Sequence, residues 1–215
     1  TTYNQSNGNV DFNHDPNVWD PERQAYYRIA GSGYEVAPMR HSDEYPFGTE
    51  AYSIASYSKP AVMLHALNGL LGEDLFYKAF KEYARRWAFK HPTSYDLFNT
   101  FEDVTGEDMD WFWRSAFYET WTLDQAVASV DSSDDGVNVT IRDLGLSTMP
   151  APVTVTYADG KKESQRVDVK VWLAGNREAT LTFPAGSVTK VEIDPDQFMP
   201  DVDRSNNVWE ASSTN

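Results

Sequence analysis

From Ser58 to about Ala116 the apolar residues recur with a helical period. Pro60, Met63, Leu64, Leu67, Leu70 and Leu71 fall three and four apart, which predicts an amphipathic helix. Pro60 is tolerable in its first turn and Gly72 stands where a terminating glycine belongs. The stretch "GEDLFYKAFKEYARRWAFK" continues the period through Phe76, Phe80, Tyr83 and Trp87 and stops at His91-Pro92. Thr93 with Asp96 three residues on has the form of a capping box, so a third helix is expected through Leu97, Phe98 and Phe101 to Gly106. A fourth starts near Asp108 or Asp110 and carries Trp111, Phe112, Trp113 and Phe117. Their short connections imply a compact helical bundle.

After Trp121 the period changes to two. "GVNVTIRDLG", "APVTVTYADG", "QRVDVKVWLAG", "EATLTFPAG" and "SVTKVEIDP" alternate apolar and polar residues and are separated by turn signals such as Asp135-Gly136 and Asp159-Gly160. Five strands of this kind predict a small antiparallel β-sandwich. The tail after Pro195 is polar and is expected on the surface. Ahead of the helices, residues 1 to about 50 are rich in Asn, Asp, Gly and Pro, with one short helix expected between Pro21 and Gly31. So long an irregular lead-in normally packs on a scaffold, which implies that Thr1 is a cut within a longer chain. The expected fold class is therefore α+β, with a helical region over 1–127 and a β-sandwich with a polar tail over 128–215.

Charge narrows the partners. Eighteen basic against 33 acidic residues give a net charge of −15, which repels phosphate backbones and anionic lipid surfaces. Nucleic acid is not an expected partner, and no apolar run is long enough to span a bilayer. The absence of cysteine removes thiolate metal sites, disulfides and cysteine nucleophiles.

A search for a catalytic constellation inside the chain returns little. The histidines, His14, His41, His65 and His91, are far apart and none sits in an H-E-x-x-H, so no zinc ligands are expected here. His65 has apolar helical neighbours and reads as a core or interface histidine. No G-x-S-x-G, phosphate loop or dinucleotide glycine pattern occurs. "DVDRSNN" at 201–207 has the alternating oxygens of a calcium loop, but Asn206 replaces its glycine and Ser212 its bidentate glutamate, so a solvated acidic tail is the preferred reading. Trp87, Trp111, Trp113 and Trp121 could line a groove, although aromatics at helical spacing more often form core.

The block from Tyr52 to Val127 resembles the gluzincin aminopeptidases, the family of aminopeptidase N and leukotriene hydrolase. The resemblance rests on Y-x-K-[GP]-A at Tyr57 to Ala61, on "LGEDLFYKAFKEY", and on "DLFNTFEDVTGEDMDWF". The strand-rich remainder, ending "VTKVEIDPDQFMPDVDRSNN", is similar to the sandwich domain that follows the catalytic domain in bacterial members. What this implies is the C-terminal part of a thermolysin-like catalytic domain followed by a sandwich. It further implies zinc in the parent enzyme, a peptide substrate, and the N-terminal part of the same chain as the partner that completes the site. In the family a tyrosine from this region faces the metal, and by motif it corresponds to Tyr57. A second active-site tyrosine in several members stands five positions earlier, as Tyr52 does here, and is assigned to substrate binding.

A phenol suits such a position for a chemical reason. Attack of water on a peptide carbonyl makes a tetrahedral oxyanion that a neutral hydrogen-bond donor stabilises. Phenols ordinarily titrate near about 10 and keep the needed proton at neutral pH. On a regular helix five residues rotate a side chain to about 140° from its start, so Tyr52 and Tyr57 can share a site only if the segment between them is irregular.

The H-E-x-x-H, the general-base glutamate and the G-x-M-E-N-type segment for a peptide amino terminus are absent from these residues, so the chain alone is expected to be inactive. Pro60 stands where many members have glycine. The acidity is compatible with a periplasmic or extracellular setting. Two other classes stand beside this reading. One is a non-catalytic relative serving as a protein-interaction module. The other is a carbohydrate-binding sandwich using Tyr157 and Trp172.

Overall fold

The computed structural model describes residues 20–40 and 48–212. The bundle begins with α1 (Asp20–Tyr27), which agrees with the helix expected after Pro21, although it ends before Gly31. Next come α2 (Gly48–Ser53), a π-helical turn (Ile54–Ser58) and α3 (Lys59–Leu71), which follow one another without a break. The sequence pattern places the start of this helix at Ser58, whereas helical backbone begins at Gly48. Pro60 explains the π turn: it has no N–H to donate and its ring crowds the carbonyl four residues back, so a wider turn ahead of it relieves both. The Lys59 amide closes that turn by donating to the Ile54 carbonyl, five residues earlier.

α3 buries Lys59, Val62, Met63, Ala66 and Leu67. Leu64, Leu70 and Leu71, counted by their spacing as core, are only partly buried against it. Gly72 takes φ 78° and ends the helix. α4 (Glu73–Trp87) packs on α5 (Ser94–Thr105). The capping box of α5 is formed as its sequence predicts: the Thr93 amide donates to Asp96 Oδ2 at 2.7 Å, and left-handed Gly106 closes the other end. α6 (Asp110–Trp113) runs into a second π turn, Arg114–Tyr118. Trp113 and Phe98 stack with centroids 4.5 Å apart, and Phe101 and Phe112 are fully buried beside them.

The second half is an antiparallel pair of sheets with seven strands among the described residues: β1 (Gln125–Ser133), β2 (Gly136–Asp143), β3 (Ala151–Tyr157), β4 (Lys162–Val167), β5 (Glu178–Phe183), β6 (Val188–Ile193) and β7 (Val208–Glu210). The sheet orders are β1-β2-β5 and β4-β3-β6-β7. Val137, Val139 and Ile141 face Val153, Val155, Val191 and Ile193 in a shared core. Alternation along β3 is complete, with Ala151, Val153, Val155 and Tyr157 inward.

Three expectations are corrected. β1 is not among the expected strands, because "QAVASVDSS" carries too few apolar residues to alternate visibly, and its residues are mostly half-buried or exposed. The segment "QRVDVKVWLAG" is not one strand: β4 stops at Val167, and α7 (Val169–Leu173) follows, started by Asp168, whose carboxylate accepts from the Lys170 amide at 2.8 Å. The tail after Pro195 is not a solvated surface segment. Met199, Asp201 and Asn207 are buried, and β7 extends the larger sheet. Asp201 accepts from the Gln125 amide at 2.9 Å and from the Asn207 side chain at 3.0 Å, so its carboxylate ties the tail to β1.

The two halves share packing. Leu123, Met149 and Met199 belong to the bundle core, and the Phe198 ring lies tilted against His65 with centroids 4.8 Å apart. Among the described residues no helix is long and apolar enough to cross a membrane.

Candidate functional site

Tyr57 sits in the first π turn with 65% of its surface exposed. An unburied tyrosine contributes little to packing, so the phenol is available to a molecule outside the described residues. Tyr52, in α2, is half-buried and lines a hollow of about 310 Å³ with Arg40, Ser56, Pro60 and Phe117. Tyr57 is not part of that hollow's lining. The π turn between them is the irregularity that a shared site requires. Each residue of a π turn advances by less than the α-helical angle, so the separation falls below the about 140° of a regular helix.

The π turn is held by Lys59, whose importance the sequence pattern understated. Its ammonium is buried and donates to Glu35 Oε1 and to the Glu119 carbonyl, each at 2.8 Å. Burial pushes this ammonium below its ordinary value, against the pull of the Glu35 carboxylate. The signal was present in the chain: Lys59 lies three and four residues ahead of Val62 and Met63, on the buried stripe of α3. Glu35, in an irregular loop, left no such signal.

His65 is buried beside Phe198, and burial together with Arg23 pushes its imidazole down to about 4, so it remains neutral near pH 7. His91 is exposed in the loop before α5. His14 and His41 lie outside the described residues. The one set of three potential ligands among the described residues is Glu102, Asp108 and Asp110. Three carboxylates suit hard cations and do not resemble a catalytic zinc site, which takes imidazole and leaves an open position. Glu102 is moreover engaged, accepting from the Met109 amide and from Trp113 Nε1, each at 3.1 Å. This carboxylate cluster does not fit zinc.

A cleft of about 910 Å³ lies between bundle and sandwich, lined by Trp111, Trp113, Trp121 and Trp172 among others. It contains neither Tyr52 nor Tyr57. Of the tryptophans considered for a groove, Trp113 serves both core and cleft. Tyr157 donates to the Pro184 carbonyl at 2.8 Å and belongs with Trp172 to the sandwich core.

Comparison with known proteins places these residues in context. Residues 32–117 match the model of the Peptidase family M1 domain. Aminopeptidase N of Streptomyces lividans is 30% identical over 82 residues, covering 38% of this chain and 10% of that protein. Aminopeptidase 2, mitochondrial, of Saccharomyces cerevisiae is 27% identical over 137 residues, 64% of this chain and 13% of that protein. Aminopeptidase N of Lactococcus lactis subsp. lactis is 29% identical over 114 residues, 52% of this chain and 13% of that protein. The chain thus matches about a tenth of the length of these relatives. Among solved structures, aminopeptidase A of Legionella pneumophila, in complex with aspartic acid, superposes with a TM-score of 0.58 over 83% of this chain and 21% of that one, at 14% identity. That likeness shows the shared fold.

Proposed function

We propose, on the premise that residues 32–117 carry a segment of the M1 peptidase family, that this chain forms one wall of the active site of a peptidase that removes N-terminal residues from peptides. Tyr57 is the residue that carries the reading. It is exposed at 65%, it stands in a π turn, and such turns often mark functional sites. In this role its hydroxyl donates a hydrogen bond to the tetrahedral oxyanion formed from the scissile carbonyl. Tyr52, in the hollow beside it, contacts the substrate and not the reacting atoms.

The zinc that the family implies would be held by residues outside the described part of this chain, and it would supply an activated water. The wall and the zinc-bearing part together make the enzyme, so the isolated chain is inactive under the same proposal.

The test is Tyr57→Phe in the full-length protein that contains this chain. The expected result is a fall in kcat of roughly 10² to 10³, with KM changed far less, because the lost bond exists mainly in the transition state. An unchanged kcat removes Tyr57 from the chemistry. Tyr52→Phe is expected to act chiefly on KM.

A further inference from the structure

Segments far apart in the chain converge on the ammonium of Lys59. Its side chain is 1% exposed, and that of Glu35 is 0% exposed. Lys59 Nζ reaches Glu35 Oε1 and the Glu119 carbonyl, each at 2.8 Å, and lies 5.7 Å from the centre of the Tyr26 ring. Glu35 is itself oriented, because its second oxygen accepts from the Gly31 amide at 2.7 Å. Glu119 directly follows the second π turn, and the Lys59 amide closes the first. One residue thus fastens the ends of both π turns to the loop after α1, and Tyr57 stands two positions away.

Stability alone does not account for this arrangement. A buried ion pair must be stripped of water on both sides, and apolar residues of similar volume commonly serve as well or better. What an ion pair adds is a single allowed geometry. The charge must meet its partners at hydrogen-bond distance, whereas an apolar side chain can settle in several ways. A π turn is a wide and sparsely populated backbone form, and it gains most from being held at a fixed angle.

We propose that the Lys59–Glu35 pair is a positioning device for Tyr57, fixing the π turn so that the phenol points at the reacting carbonyl. The inference rests on the oxyanion role of Tyr57. Lys59 and Glu35 touch no substrate in this scheme; they act through the turn.

The experiment uses the full-length protein with Lys59→Met and Glu35→Leu combined, since the single change leaves an unpaired buried charge. The expected double variant melts near the native temperature, yet its kcat falls about ten- to a hundredfold while KM stays within about twofold. Adding Tyr57→Phe to it then costs much less than the same change in the native background, because both remove one function. A folded double variant with native kcat overturns the proposal while leaving Tyr57 in place. If Tyr57→Phe has no effect in the native background, the oxyanion reading itself has failed and this inference falls with it. Should the double variant not fold, Glu35→Gln decides. It keeps the volume and one acceptor oxygen for Lys59 but turns an NH2 donor toward the Gly31 amide that the second carboxylate oxygen had accepted, so the orientation of residue 35 is lost. A positioning role predicts reduced kcat with native KM, and a native kcat overturns it.

Discussion

Asp143 shows how one buried group shapes behaviour with pH. Its side chain is fully buried at the end of β2, 3.0 Å from an Arg177 nitrogen, and neither oxygen makes an aligned hydrogen bond. Burial pushes its carboxyl up to about 6; Arg177 opposes the shift, while Asp124 and Asp201 add to it. Because the folded chain then holds this proton more tightly than the unfolded chain, the associated stability is complete below about pH 4 and is lost as pH rises through about 6. Asp194, buried on Arg204, moves the same way to about 6. Replacing Asp143 by Asn removes this contribution, so the melting temperature of the variant is expected to rise relative to that of the native chain as pH goes from 4 to 6. A melting series across that range checks it, and an unchanged slope would exclude Asp143 as a source. Tyr57 is marked in the sequence by its motif, whereas the burial of Lys59 in the same motif becomes visible only with its partner Glu35 in place.

At the level of elements, α3 illustrates what spacing conveys and what it omits. Its existence and its glycine stop are written in the sequence, but its buried face is rotated toward Lys59, Val62, Met63 and Ala66. That rotation follows from the π turn and from Phe198, which presses on the helix at Gly69. A Cβ at Gly69 would overlap the Phe198 side chain at Cβ and Cγ. In an exposed helix Gly→Ala stabilises by roughly 0.5–1 kcal/mol. Here Gly69→Ala is expected to destabilise by about 1–3 kcal/mol, since an aromatic ring must move out of a packed interface. The midpoint of urea unfolding reads this directly, and a gain in stability would contradict the contact. α7 makes the complementary point: Asp168 caps it clearly, yet the alternation of "VDVKVW" concealed the helix because five residues are too few to declare a period of their own.

At the scale of the whole molecule, the two halves of the described chain share a core. Leu123, Met149 and Met199 complete the bundle core, and Asp201 fastens the tail to β1. Arg23 in α1 donates to the Gln197 carbonyl at 2.9 Å across the same junction. Far-UV circular dichroism, which follows helix, and tryptophan fluorescence are therefore expected to report one coincident unfolding transition. Two separated transitions would mean that the junction contributes little. By itself the sequence determined the α+β class, the order of helices before strands, the capping box of α5 and the motif at Tyr57, because periodicity and capping act between residues close along the chain. The tertiary structure decided the continuation of α3 back through a π turn, the buried tail, the strands β1 and β7, and the Lys59–Glu35–Glu119 junction. Each of these depends on groups distant in sequence meeting in space, where burial and hydrogen-bond geometry outweigh local propensity.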